Sequence, residues 1–440
     1  MGEPRRGARD VIDAVLDAGW SPLFEEIAGG DPLGFPGYPE QVARAREQTA
    51  ASESVLVGEG TVDGEQPLVV IAFEFDFLGG SMGVAAGRRI VAAFDHAAAK
   101  KVPVLASTAS GGARMQEGML ALAQMPATLA ARARLAAAGA PLIAHLRDPT
   151  TGGVYASFAS SADFVWADAG ATIGFAGPRV AETVTGEPLP PGSHTAESAV
   201  RHGLADLALD GDGLGPAVRE CLRILRGGDG SELPLASADP AIVPSLRSCG
   251  GRPVVAIVLG RGPGGDARPG PAGYRAARRA IRVATRLGLP VVTLVDTPGA
   301  DPSPAAEAAG IAREISATFQ AMLAAPVPTV AIVTGEGGSG GALALAACDR
   351  LLMRTGSTFS VIAPEGAAAI LRRSDVDEVG RELKRTAGDL VDFGIADEVI
   401  DAWAPGTFPD EPVRAALARI AAEGGAPSAR RLERFNASEP

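Results

Sequence analysis

The stretch Ala109–Gly118, ASGGARMQEG, places two adjacent glycines between a strand-like segment and a helix-like segment. Residues 102–108, VPVLAST, precede it as an apolar run, and residues 118–138 follow with a helical composition. A continuous apolar run is typical of a parallel strand that helices cover on both faces. Glycine lets a ligand approach the backbone closely and tolerates unusual dihedral angles. The stretch therefore predicts an α/β unit, with either a tight connection or a binding turn after its strand.

A second such turn, TGEGGSGGALALAA, occupies residues 334–347, and both halves of the chain alternate strands and helices in one order. A repeat of this length indicates two duplicated α/β domains and not a solenoid. The positions that we pair between the halves are Pro103 with Pro290, Gly111 with the region of Gly299, Gly153 with Gly341, and Gly177-Pro178 with Pro364-Glu365.

The domain boundaries follow from the composition of the segments between the two repeats. Residues 226–250 are rich in Gly, Ser, Pro and Asp and show no period, which is typical of a linker. We therefore expect one domain over 1–225 and a second over 251–425. The polar residues 426–440 are expected to form a flexible tail.

Composition excludes several classes of function. The 440 residues carry a net charge of −12, which argues against nonspecific nucleic-acid binding. We find neither a long uncharged apolar run nor a signal peptide, so we expect a cytoplasmic protein without a membrane span. The three cysteines form no Cys-x-x-Cys pair and the four histidines show no metal spacing. We therefore expect no metal.

A glycine turn at a helix N-terminus can hold a phosphate or a developing oxyanion. The P-loop pattern is absent, and Gly335, Gly337 and Gly340 satisfy G-x-G-x-x-G without the acidic residue that a dinucleotide fold requires. The oxyanion interpretation remains, for example an enolate formed from a thioester. Two duplicated turns then suggest two carbonyl compounds, each polarised by one half of the chain.

Several longer strings resemble the carboxyltransferase component of acetyl-CoA carboxylase, a member of the crotonase superfamily. Residues from about 30 to 225 resemble the bacterial β subunit in GGSMG, ASGGARMQEG, DPTTGGVYASFA and IGFAGPRV. Residues from about 248 to 402 resemble the α subunit in GYRAARRAIRVA, DTPGA and GEGGSGGALALA. The chain thus resembles a β–α fusion, which implies two tandem crotonase-like domains.

The resemblance implies that carboxybiotin, carried on a biotin carboxyl carrier protein and charged by biotin carboxylase, gives its carboxyl group to acetyl-CoA to form malonyl-CoA. It also implies a homodimer, because the family builds its site between a β half and an α half of different protomers. A malonyl-thioester decarboxylase, which needs only the first oxyanion site, is the alternative. A noncatalytic scaffold for the other carboxylase subunits is a third hypothesis.

The resemblance also implies roles for residues of this sequence. Gly111-Gly112 would hold the acyl-CoA carbonyl, and Gly340-Gly341 would hold the ureido carbonyl of biotin. The remaining expected substrate contacts are Gly79, Gly80, Arg114, Met115, Gln116, Gly152, Gly153, Gly177, Pro178, Arg179, Gly299, Gly337 and Gly338. Arg114, Met115 and Gln116 serve equally well as packing at a helix start, and Arg179 as a surface residue. Two features depart from the family: the zinc ribbon is missing, and the loop at 260–273 is short, with only Arg261 and Arg268 as basic residues.

Overall fold

The computed structural model of the chain describes residues 5–228, 232–401, 403–404, 407–424 and 431. The chain divides into two compact units, Met1–Leu222 and Arg223–Pro440. Each unit contains one eight-stranded sheet with helices around it. The α/β class and the two tandem domains predicted from the sequence are therefore confirmed.

The sheet of the first unit has the strand order β1-β2-β3-β4-β5-β6-β8, and β7 pairs with β5. Strands β1 to β3 pair antiparallel, and every pairing from β3 onward is parallel. The strands are β1 Ser21–Leu23, β2 Val55–Val62, β3 Gln66–Phe73, β4 Val104–Ser110, β5 Leu142–Thr151, β6 Phe164–Asp168, β7 Ile173–Gly174 and β8 Leu207–Leu209. The helices are α1 Ala8–Val15, α2 Tyr38–Thr49, α3 Val84–Lys100, α4 Gly118–Leu122, α5 Gln124–Ala137, α6 Gly152–Val154, α7 Pro178–Thr185, α8 Ala196–Arg201 and α9 Leu214–Leu225.

The sheet of the second unit repeats this order as β9-β10-β11-β12-β13-β14-β16, with β15 paired to β13. Its strands are β9 Leu233–Pro234, β10 Ile242–Cys249, β11 Arg252–Leu259, β12 Val291–Thr297, β13 Thr329–Gly338, β14 Arg350–Arg354, β15 Thr358–Ser360 and β16 Glu398–Ile400. Its helices are α10 Pro271–Leu287, α11 Pro304–Ala308, α12 Ile311–Ala324, α13 Ser339–Ala346, α14 Pro364–Leu371, α15 Val376–Glu382, α16 Ala387–Asp392 and α17 Asp410–Glu423. The identical order in both units supports duplication of one domain.

Hydrogen bonds at the strand starts repeat as well. The carbonyl of Pro103 accepts from Val69 N at 3.1 Å, and that of Pro290 accepts from Val255 N at 2.9 Å. The pairing of these prolines from sequence is thus correct. Two pairings are shifted by a residue. Pro178 and Pro364 each begin a helix, so Pro178 corresponds to Pro364 and not to Glu365. Gly153 corresponds to Gly340 and not to Gly341, because Ser110 pairs with Thr150 where Thr297 pairs with Gly337.

The segment 226–250 is not only a linker. Its residues 242–249 form β10, which pairs antiparallel with β11 along the whole strand. The composition misled the prediction because β10, which lies next to the edge of the sheet, contains a Pro, two Ser and an Arg among its apolar residues. The predicted tail 426–440, apart from Arg431, lies outside the described residues.

Apolar faces of the longest helices cover the sheets. Helix α3 buries Ala86, Ile90, Ala93 and Phe94, whose three- and four-residue spacing puts them on one face. These side chains join one cluster with apolar residues of β3, β4 and β5. The packed interior of the first unit therefore supports the carboxyl ends of its parallel strands.

Candidate functional site

The first glycine turn begins at the end of β4, and the hydroxyl group of Ser110 holds it in place. Gly112 N donates to Ser110 Oγ at 3.0 Å, and Gly111 N donates to the carbonyl of Gly79 at 2.9 Å. Gly112 has a φ of 114°, which favours glycine. The amide of Ala113 has no hydrogen-bond partner among the described residues. The turn thus uses the amides of both predicted glycines internally and leaves the next amide unused.

Close contacts with the backbone explain why glycine occupies the positions next to the turn. A Cβ on Gly80 would overlap the carbonyl oxygen of Ala109, and a Cβ on Gly152 would lie 2.9 Å from the Cα of Gly112. Gly153 is buried, and a Cβ there would lie 2.9 Å from Met125 Sδ. The structure therefore brings the predicted residues Gly79, Gly80, Gly111, Gly112, Gly152 and Gly153 together at one end of the first sheet.

Arg114 does not face solvent; its side chain lies inside the first unit, behind the turn. Its guanidinium forms an ion pair with Glu53 and donates to Ser81 O at 2.8 Å and to Tyr38 Oη at 3.1 Å. Glu117 Oε1 accepts from Arg114 at 3.2 Å, and Glu117 Oε2 accepts from Val84 N at 2.6 Å. We call Arg114, Glu53, Glu117 and Tyr38 the arginine cluster. It ties the segment around Ser81 to the turn.

Burial and charge shift the pKa values of this cluster. Burial raises the pKa of Glu53, but hydrogen bonds and charge from Arg114 outweigh it and hold that pKa below its ordinary value. Burial, together with the hydrogen bond to Glu117, raises the pKa of Tyr38 to about 12. The cluster therefore keeps an ionised arginine and a neutral phenol beneath the turn.

A largely apolar cavity of about 880 Å³ opens beside the first turn. Gly111, Gly152, Gly153 and Gly177 contribute backbone to its lining, and α4, α5 and α7 supply apolar side chains. Phe175 lines it as well.

The other residues of the first unit that were predicted to contact substrate lie outside the cavity lining. Met115 is 77% exposed, and Gln116 donates to Gln41 at 3.0 Å. Pro178 begins α7 and Arg179, next in sequence, is exposed. Met115, Gln116, Pro178 and Arg179 do not line the cavity, although Arg179 follows Gly177 closely in the chain.

The second unit contains the same turn at residues 297–300. Gly299 N donates to Thr297 Oγ1 at 3.2 Å, Gly299 has a φ of 122°, and the amide of Ala300 has no partner among the described residues. The sequence pattern shared by the two turns is Ser/Thr-x-Gly-Ala. Comparing the glycines alone does not reveal this pattern, because the hydroxyl group is part of the turn.

The glycines at 337–341 pack against that second turn. A Cβ on Gly338 would overlap the peptide group between Pro298 and Gly299, and one on Gly341 would lie 2.8 Å from Ala300 N. Gly340 has open space at its Cβ position, and a Cβ on Gly337 would contact the Phe359 ring. The stretch 334–347 is therefore the counterpart of Gly152-Gly153 and not of the first turn.

Charged residues flank the second turn. Arg261 contacts Asp296 at 3.3 Å and Glu336 at 2.6 Å, and Arg268 donates to the Pro298 carbonyl at 3.4 Å. The two basic residues of the short loop thus remain beside the turn. Among the helices described, none is long and apolar enough to cross a membrane.

Known protein families match both units. Residues 37–226 match the family described as Carboxyl transferase domain, and residues 235–422 match Acetyl co-enzyme A carboxylase carboxyltransferase-like. Among solved structures, transcarboxylase 12S with bound methylmalonyl-CoA superposes with a TM-score of 0.82 at 21% identity, covering 96% of this chain and 93% of that chain. This likeness shows the fold.

Curated relatives align over nearly the whole chain. The acetyl-coenzyme A carboxylase carboxyl transferase subunits beta/alpha of Salinispora tropica are 39% identical, covering 93% of this chain and 86% of the relative. The probable biotin-dependent acyl-coenzyme A carboxylase beta3 subunit of Mycobacterium bovis is 37% identical, covering 92% and 90%. With two matching turns, one in each matched domain, the chain belongs to the family of fused β/α acetyl-CoA carboxylase carboxyltransferases and is an acyl-CoA carboxyltransferase of a biotin-dependent carboxylase.

Proposed function

We propose that this enzyme moves the carboxyl group of carboxybiotin, bound to a separate carrier protein, to the α-carbon of acetyl-CoA, giving malonyl-CoA. One observation carries the proposal: each unit has the same turn, in which a hydroxyl holds a glycine amide and the following alanine amide has no partner among the described residues. Two carbonyl compounds, each bound at one turn, match the two substrates of such a transfer.

In the first unit, the turn at Gly111-Gly112 would accept the thioester oxygen of acyl-CoA, with the amide of Ala113 as the donor. Loss of the α-proton puts negative charge on this oxygen, and a fixed amide stabilises it without reorganising. Gly79 and Gly80 shape the turn, Gly152, Gly153 and Gly177 shape the wall, Pro178 starts the helix beside it, and the apolar cavity receives the acyl group. Met115, Gln116 and Arg179 are proposed contacts of the CoA portion, while Arg114 supports the turn from behind.

In the second unit, the ureido carbonyl of biotin would bind at Gly340-Gly341, with Gly299, Gly337 and Gly338 shaping the site. The residues fit such a group because the Ala300 amide has no partner among the described residues and glycine at 341 keeps side-chain atoms away from it. Carboxybiotin supplies the carboxyl group when it is bound, and the biotin that remains is basic enough to take the α-proton. The biotin carboxyl carrier protein and biotin carboxylase are therefore the proposed partners.

The test is mass spectrometry of the products formed from carboxylated carrier with acetyl-CoA, propionyl-CoA or acetyl-carrier protein. We expect malonyl-CoA as the main product. Methylmalonyl-CoA or malonyl-carrier protein in its place would retain carboxyl transfer but overturn the proposed acceptor. Decarboxylation of malonyl-CoA without any need for biotin would support the decarboxylase alternative and overturn the proposal.

A further inference from the structure

Tyr274 occupies a position that the fold itself does not require to be aromatic. Its amide donates to the carbonyl of Gly270, the residue before α10, at 3.3 Å. In the first unit, Gly87 stands at the corresponding place in α3, where its amide donates to Gly83 at 2.9 Å. There the side chain of Gln124 fills the space beside the helix. A tyrosine at this position is thus a feature of the second unit alone.

The Tyr274 hydroxyl is buried without a hydrogen-bond partner in the described part of the chain. Buried hydroxyls are normally bonded, because an unpaired one loses its water without compensation. By contrast, the buried Tyr38 hydroxyl interacts with both Glu117 and Arg114. Burial of Tyr274, aided by the charge of Asp239, raises its pKa, so the phenol keeps its proton and remains a donor.

The hydroxyl points to the second turn. A Cβ on Gly341 would lie 2.7 Å from Tyr274 Oη and 2.8 Å from Ala300 N. Both groups are donors without partners among the described residues, and both lie beside the Cα of Gly341, where a side chain would overlap them. Two convergent donors suit a single carbonyl oxygen, which has two lone pairs.

We propose that the Tyr274 hydroxyl, together with the amide of Ala300, donates a hydrogen bond to the ureido carbonyl oxygen of biotin when it binds at Gly341. This inference rests on the proposed function of the second unit. It adds a side-chain donor to a site that otherwise consists of backbone amides. The hydroxyl strengthens its hydrogen bond as charge develops on that oxygen, so it acts in the carboxyl transfer as well as in binding.

The variant Tyr274→Phe tests the inference in carboxylation of biocytin by malonyl-CoA, the reverse of the proposed reaction. We expect kcat/KM for biocytin to fall by about 10- to 1000-fold, as for loss of one oxyanion donor. KM for malonyl-CoA should not change, and the melting temperature should stay equal or rise, since an unpaired buried hydroxyl is removed. Unchanged kinetics, or a loss that parallels a lower melting temperature, would overturn it.

Tyr38→Phe is the matched control for stability, because its hydroxyl is bonded and its removal should lower the melting temperature. Gly341→Ala is a second probe, since its methyl would overlap both donors and displace them. Adding Tyr274→Phe to Gly341→Ala should then cause no further loss; additive losses would contradict the inference. A wild-type enzyme that carboxylates no biocytin would instead refute the proposed function.

Discussion

At the scale of single residues, Gly112 combines a left-handed backbone with a close contact. Its φ is 114°, and a Cβ would lie 3.2 Å from the Cα of Gly152. A side chain here therefore displaces the turn or the wall opposite it, and with them the Ala113 amide. The backbone conformation that requires glycine at position 112 therefore also places the Ala113 amide, the proposed donor to the thioester oxygen.

We predict that Gly112→Val lowers carboxylation of acetyl-CoA by at least about 100-fold, the effect expected for a misplaced oxyanion donor. The slow decarboxylation of carboxybiotin without acceptor should be spared, because it needs no enolate. Steady-state assays of both reactions measure this. Gly139→Val is the control, since Gly139 also has a positive φ but has no atom within 4 Å of its Cβ position. Equal loss of both activities in a folded Gly112→Val would contradict separate sites.

Glu53 gives the arginine cluster a defined dependence on pH. Arg114 holds the pKa of Glu53 below its ordinary value of 4.5. A lowered pKa means that the unfolded chain takes up a proton first as the pH falls. The contribution of the ion pair to stability is therefore complete above pH 4.5 and is lost as the pH falls through the folded pKa.

We predict that Glu53→Gln lowers the free energy of unfolding at pH 7 by about 3 to 5 kcal/mol, because the buried charge of Arg114 loses its partner. The difference from wild type should shrink below pH 4.5. Urea denaturation at pH 7 and pH 4 measures it. Asp163→Asn, which removes the carboxylate beside the buried Arg132, is the control and should leave KM for acetyl-CoA unchanged. Glu53→Gln should raise this KM; a pH-independent difference in stability would argue against the ion pair.

At the scale of elements, α5 forms one wall of the cavity in the first unit. Met125, in the first turn of α5, lines the cavity and lies against Gly153 of α6. A flexible thioether fills irregular space, so we expect the Met125 side chain to limit how far an acyl group extends along this wall. Two separate elements thus meet at the cavity lining, with Met125 from α5 and Gly153 from α6.

We predict that Met125→Ala shifts the ratio of kcat/KM values toward propionyl-CoA relative to acetyl-CoA by about 10-fold, the effect of room for one methylene. Competition assays with both acyl-CoA substrates measure this ratio. Leu204→Ala, which removes an exposed side chain outside the cavity lining, should leave the ratio unchanged. An unchanged ratio in a folded Met125→Ala would mean that α5 does not contact the acyl group.

At the scale of the whole molecule, both units expose large apolar side chains. In the first unit Phe175, Val180 and Val184 are exposed, the last by 80%, and all three lie at or beside α7. In the second unit Val361 and Ile370 are exposed at or beside α14, the counterpart of α7. Clusters of this kind mark interaction surfaces.

We predict that the enzyme is a homodimer, in which twofold pairing covers these surfaces. Sedimentation equilibrium should give twice the mass of the chain, and Ile370→Asp should shift the protein toward monomer with loss of carboxyl transfer. A stable monomer with full activity would refute this prediction.

The sequence alone was sufficient for the class of fold, the duplication and the family. Continuous apolar strands, alternating helices and repeated glycine turns are local features, and each is visible in a window of a few residues. These features could be read because periodicity and the conformational freedom of glycine are properties of the residues themselves.

Only the tertiary structure decided what each glycine and each polar side chain contacts. Arg114, for which the sequence predicts either a CoA contact or packing at a helix start, is buried in an ion pair with Glu53, 61 positions earlier in the chain. The hydroxyl of Tyr274 in α10, which has no partner among the described residues, lies against Gly341 in α13, and no spacing in the sequence reveals this contact. Hydrogen bonds and close contacts depend on distances below 4 Å between distant segments, and only the folded chain sets those distances.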